Sequence, residues 1–226
     1  MMVPLWCVTT FWGLFLLPFA GVLTQTFFQC FTVETVRHGF WRSEEFTFFS
    51  IGALAMTLIF FVLPKMVVVY VFGHELTHAV WVWMSGGRVA DFRVGREGGH
   101  ILTDRQSVWI ALAPYFYPIY SMMLLVIYGI TALFMDLTPY HPWFLGLLGA
   151  TWAFHVCFTI WMVPKGQTDL TYYGTFFSLV VIYMANLLLL SFMLILASPR
   201  VGFLGFADHG LENLAAFAGW MWHITH

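Results

Sequence analysis

The chain reads as an all-α polytopic membrane protein: a bundle of about six transmembrane helices with a small cytoplasmic β-hairpin after the third. Three observations predict this. Of 226 residues, 61% are hydrophobic and 9% are charged. A soluble domain carries roughly 25% charged residues, so the polar surface needed to cover a water-facing globule is missing. Second, six apolar segments approach or exceed the length needed to cross a bilayer, which takes about 20 residues of helix. Third, most of the charges fall between those segments.

The segments run over residues 3–31, 46–63, 66–84, 108–135, 143–163 and 172–197. The opening MMVPLWCV has no basic stretch and no small-residue cleavage site nearby, so it is expected to be a retained first span. Within the fourth segment, Pro114-Tyr115-Phe116-Tyr117-Pro118 predicts a kink, because proline removes helix hydrogen bonds. The connection 85–107 is the longest, and its alternating runs 88–94 and 100–102 around Gly98 and Gly99 predict the hairpin. After Pro199 the tail is interrupted by Asp208 and Glu212 and flanked by Trp220 and Trp222, which suits an interfacial helix. His209, His223 and His226 are expected to be interfacial or exposed there.

If six spans alternate, Arg37, Arg42, Arg88, Arg93, Arg96, Arg105 and Lys165 share one side of the membrane, against Lys65 and Arg200 on the other. That bias predicts a cytoplasmic third loop and both termini outside, in a multi-pass protein of the cell membrane. Nine Lys and Arg and a net charge of −2 exclude a nucleic-acid-binding footprint. Cys7, Cys30 and Cys157 lie singly in apolar segments, without metal-site spacing or an even count.

The third segment carries the chemistry. His74-Glu75-Leu76-Thr77-His78 lies in an otherwise apolar run. Positions i and i+4 share a helix face, so both imidazoles can reach one tetrahedral Zn²⁺, with Glu75 beside them as general base for a water. Ionisable groups at membrane depth are costly and mark functional sites. A catalytic zinc takes three protein ligands and keeps one position open. Asp169, on the connection after the fifth span, starts on the expected side and reaches the metal by a short inward dip. His155, in the fifth span at a similar depth, is the other candidate; as a non-ligand it would orient a ligand or stabilise an oxyanion. Gly98, Gly99 and His100 are candidate substrate contacts.

HELTH in an apolar helix, followed by SGGRV, a Gly-rich hairpin and an Asp roughly 90 residues downstream, resembles the site-2-protease family of intramembrane zinc metallopeptidases. The resemblance covers about residues 67–170. It implies that His74, His78 and Asp169 bind one zinc per chain, and that Glu75 activates water to cleave a membrane-protein or peptide substrate. The second motif departs from the family's Leu-Asp-Gly: here Gly166-Gln167-Thr168 precedes Asp169 and Leu170 follows it. The two helices in residues 1–63 fall largely outside the resemblance and are expected to be accessory to a core at 64–197, with 198–226 as the tail. Two other readings use the same residues. One is a non-catalytic metallopeptidase-like membrane protein or complex subunit with a structural metal, and the other is a haem-binding bundle using His78 and His155.

Overall fold

A computed structural model describes residues 5–37, 39–197 and 201–225. Val3 at the start of the expected first span lies outside these residues, as do Pro199, Arg200 and His226. The described helices are α1 (Leu5–Thr32), α2 (Glu44–Val62), α3 (Val67–Met84), α4 (Val108–Phe116), α5 (Ile119–Ala132), α6 (His141–Met162), α7 (Thr168–Tyr172), α8 (Thr175–Ala197) and α9 (Phe203–Thr225). Between α3 and α4, β1 (Val89–Val94) and β2 (Gly99–Thr103) form an antiparallel pair with a bulge between Val89 and Asp91. The helical membrane class and the hairpin match the sequence reading.

Four stretches among the described residues are long and apolar enough to cross a membrane: Cys7–Arg37, Glu44–Val62, Thr138–Lys165 and Thr175–Leu196. The α4–α5 pair, bent by 78°, makes a fifth if it counts as one span. That bend is the kink expected at Pro114 and Pro118: Pro114 lies inside α4, and Pro118 has no N–H to continue the ladder. The expected third span, α3, is not in this set. Its apolar run is interrupted by His74, Glu75, Thr77 and His78. The tail is a helix, α9, and it too is outside the set.

The chain forms two compact units, Glu44–Leu170 and Met1–Ser43 with Thr171–His226. This differs from the expected division at 63/64 and 197/198, because the first two helices part company: α2 packs along α6, and α1 packs along α8. The first pairing rests on close backbone approach. A Cβ on Gly52 would strike the backbone of Gly146, and one on Gly149 would strike the backbone of Phe49. Lipid tails are as apolar as leucine, so helices in a membrane associate where small residues let backbones approach. Beyond the glycine contact, Phe60 packs on Phe158 at 5.0 Å, and Met56 and Ala153 complete the cluster.

The direction of this pairing corrects the expected alternation. Phe49 meets Trp152, Thr57 lies beside Cys157, and Phe60 meets Phe158 and Trp161. The residue numbers rise together, so α2 and α6 are parallel, whereas the second and fifth of six alternating spans would be antiparallel. In the other unit Thr9 faces Gly174, Gly13 faces Phe176 and Thr24 bonds Tyr183 at 2.7 Å, so α1 and α8 are parallel as well. The first and sixth of six alternating spans would also be antiparallel. By contrast α5 runs against α6, with Tyr128 stacked on Phe144 at 3.9 Å and Ser121 bonded to Thr151 at 2.9 Å. With the native cysteines replaced, single cysteines at Glu44 and Asp136 are expected to react with an impermeant maleimide from the same side of the membrane. Labelling from opposite sides would restore the alternating order.

Candidate metal centre

The site is built within the unit Glu44–Leu170 by three segments. Helix α3 presents His74 and His78 one turn apart, with ring centroids 4.8 Å from each other. Helix α4 comes next. Its start is fixed by Ser107, whose hydroxyl accepts from the Ile110 N–H at 3.2 Å as an N-cap. This delivers the Ile110 carbonyl to His78 Nδ1 at 2.8 Å. The third segment is the turn after α6. Gly166 sits in the left-handed region at φ 74°, where glycine carries no Cβ penalty, and the short α7 follows at Thr168. Leu170 is fully buried and anchors that helix.

The outcome is convergence. His74 Nε2 lies 3.2 Å from Asp169 Oδ2 and 3.2 Å from His78 Nε2, and His78 Nε2 lies 3.5 Å from the same carboxylate oxygen. Ligands held about 2.05 Å from a tetrahedral zinc are separated by about 3.3 Å, so the triangle has the size of a ligand face. Its chemistry fits too. A carbonyl only accepts, so His78 Nδ1 must donate to Ile110, and the neutral ring then turns a bare Nε2 lone pair inward. Three electron-rich atoms at this spacing repel unless a proton or a metal cation sits among them. Among the described residues, His74, His78 and Asp169 form the group of ligand-type side chains able to hold a metal. With protons instead of a metal on the two inward-facing imidazole nitrogens, burial still disfavours the charge on Asp169, but the hydrogen bonds those N–H groups donate outweigh it and hold the carboxyl well below the usual carboxylate range.

Glu75 is buried at 6% exposure and faces a cleft of about 600 Å³. The cleft is lined by His74, His78 and Asp169, by Glu75 and by β2 with its flanks, including Gly98, Gly99 and His100. Gly99 matters sterically: a Cβ there would lie 2.7 Å from Glu75 Cγ and 2.6 Å from the Arg93 carbonyl oxygen. His100 is largely exposed and lies 3.6 Å from Asp91, which also holds Arg93 at 2.8 Å.

His155 is buried in α6 but is not in the ligand cluster. It hydrogen-bonds the backbone carbonyl of Tyr115, and its Nε2 has no partner among the described residues. A haem arrangement suits these positions poorly, because His78 Nε2 is already flanked by His74 and Asp169 within 3.5 Å. Two tyrosines escaped the sequence reading. Tyr115, fully buried, donates its hydroxyl to Asp169 Oδ2 at 3.1 Å, and Tyr70 bonds His74 Nδ1 at 3.3 Å. Tyr70 could have been found from its i−4 spacing to His74. Tyr115 gave no signal beyond its place between two prolines.

Comparisons with family models, with curated proteins and with solved structures find no match for this chain.

Replacing Gly99 by valine is expected to push β2 off Glu75 and to destabilise the protein by about 1–3 kcal/mol, the usual cost of overpacking. A lowered melting temperature in detergent measures this, and an unchanged one would contradict the close approach.

Proposed function

We propose that the chain is a membrane-embedded zinc metallopeptidase that hydrolyses a peptide bond in or near a transmembrane segment of a membrane-protein substrate. The observation that carries this is the convergence of His74 Nε2, His78 Nε2 and Asp169 Oδ2 beside Glu75, at one wall of a cleft whose other wall is a strand. The resemblance of HELTH and its downstream aspartate to the site-2-protease family points the same way.

Three protein ligands leave the fourth tetrahedral position open, as in catalytic sites. When bound, zinc supplies a Lewis acid and a water acidified towards neutrality. The chain supplies the rest. Glu75 is the carboxylate that accepts a proton from the attacking water and returns it to the leaving amine. Ile110 and Tyr70 hold the outer nitrogens of the two imidazoles, which keeps both Nε2 atoms turned inward. Strand β2 pairs with β1 in a two-stranded sheet and lines the cleft, so an unwound substrate segment can add alongside it as a further strand.

The membrane disposition follows from the helix directions. If α2 and α6 both cross and are parallel, an odd number of crossings lies between them. The α4–α5 pair supplies one, so α3 begins and ends on the same side. Lys65 then joins Arg88, Arg93, Arg96, Arg105 and Lys165 at the hairpin end, which supports a cytoplasmic hairpin. The expectation that both termini lie outside rested on six alternating crossings and loses that basis.

Glu75→Gln keeps the shape of the side chain and removes its basicity. It should lower hydrolysis of a transmembrane-helix reporter by roughly 10²–10⁴-fold, the usual contribution of a general base, while zinc stays bound. Activity that survives the substitution would refute the assignment.

A further inference from the structure

His155 is a buried imidazole in an apolar stretch of α6. Its α6 neighbours Ala153, Phe154 and Phe158 are core residues, yet this imidazole sits among them, 8% exposed, with no partner for Nε2 among the described residues. An unpaired buried nitrogen is a cost that an apolar side chain would avoid. The other ring nitrogen, Nδ1, is then the one that donates to the Tyr115 carbonyl. Tyr115 lies in the last turn of α4, just before the chain bends by 78° into α5, and such a break takes terminal carbonyls out of the helical ladder. Its ring meets His74 edge-on at 5.4 Å, and its hydroxyl donates to Asp169 Oδ2.

We propose that His155 is a positioning residue of the metal centre: it fixes the backbone of Tyr115 at the α4–α5 break, and through the Tyr115 hydroxyl it sets the orientation of the Asp169 carboxylate. The proposal rests on the metal-centre reading above. It assigns His155 neither to the ligands nor to the reacting atoms. Its effect travels from α6 to the break and from the break to α7. Outer partners of this kind typically change metal affinity by 10–100-fold when lost.

The test uses the full chain in detergent, stripped of metal and titrated with Zn²⁺ against a chelator, and with Co²⁺ followed by its visible absorption. His155→Asn keeps an N–H donor at the place of Nδ1, whereas His155→Gln fills similar volume with its amide farther out. Wild type should take up one metal per chain. H155N should bind Zn²⁺ within about threefold of wild type, while H155Q should bind about 10–100-fold more weakly with a shifted Co²⁺ spectrum. Tyr115→Phe should cost a similar factor, and Y115F with H155Q should cost no more than the larger single loss, because both act on one path.

Equal Zn²⁺ affinity and equal Co²⁺ spectra in H155N and H155Q would overturn the proposal, as would losses in the double variant that multiply. Loss of stoichiometric metal in both His155 variants would also overturn it, by making His155 a ligand. Where H155Q fails to fold, Y115F alone decides: an unchanged Co²⁺ spectrum breaks the link to Asp169. Wild type that binds no metal would instead refute the metal centre itself.

Discussion

His74 Nε2, His78 Nε2 and Asp169 Oδ2 meet within 3.5 Å of one another at the wall of a cleft. Electron-rich atoms held that close need a proton or a metal cation among them, and the rest of the unit can be read as the framework that holds them. Ser107 starts α4 where its backbone can grip His78. The two prolines break the next span so that Tyr115 reaches Asp169. Gly166 ends the α6 segment so that α7 folds back, with Leu170 as its anchor. The three side chains come from helices that an apolar bundle could equally have packed with leucine, at less electrostatic cost.

The same framework explains why α3 differs from its neighbours. A helix carrying two histidines and a glutamate is a poor membrane span, and α3 packs with α4, α5 and both strands. The spans around it are organised by other means. Gly52, Gly146 and Gly149 let α2 and α6 touch backbone to backbone, and Phe60 edge-on to Phe158, with Phe158 stacked on Tyr70, ties that contact to the start of α3. Tyr70 in turn bonds His74. Packing between the spans thus reaches the first ligand through one ring.

Much of this was legible in the amino-acid sequence, and the parts that were not share a cause. Helix positions, the hairpin and the kink follow from apolar runs, alternation and proline, which are local signals. The His74–His78 pair follows from helical spacing, and Asp169 was reachable by asking which acidic residue shared its side. The helix directions were misread because strict alternation assumes that every apolar helix crosses. Parallel α2 and α6 depend on glycine contacts between residues almost a hundred positions apart, which no local pattern encodes. Tyr115 was hidden for the same reason: its partner Asp169 is 54 residues away. His155 was marked by its depth in the fifth apolar segment, but its Tyr115 partner could not be read from the chain alone.

The most direct measurement is metal analysis of the purified protein, combined with X-ray absorption at the zinc edge. One zinc per chain is predicted, with a first shell of two imidazole nitrogens and carboxylate and water oxygens at about 2.0–2.2 Å, and with that zinc lost on replacing Asp169 by alanine. Protein without metal after reconstitution with zinc, or a full complement of zinc with an unchanged shell in Asp169→Ala, would contradict the account.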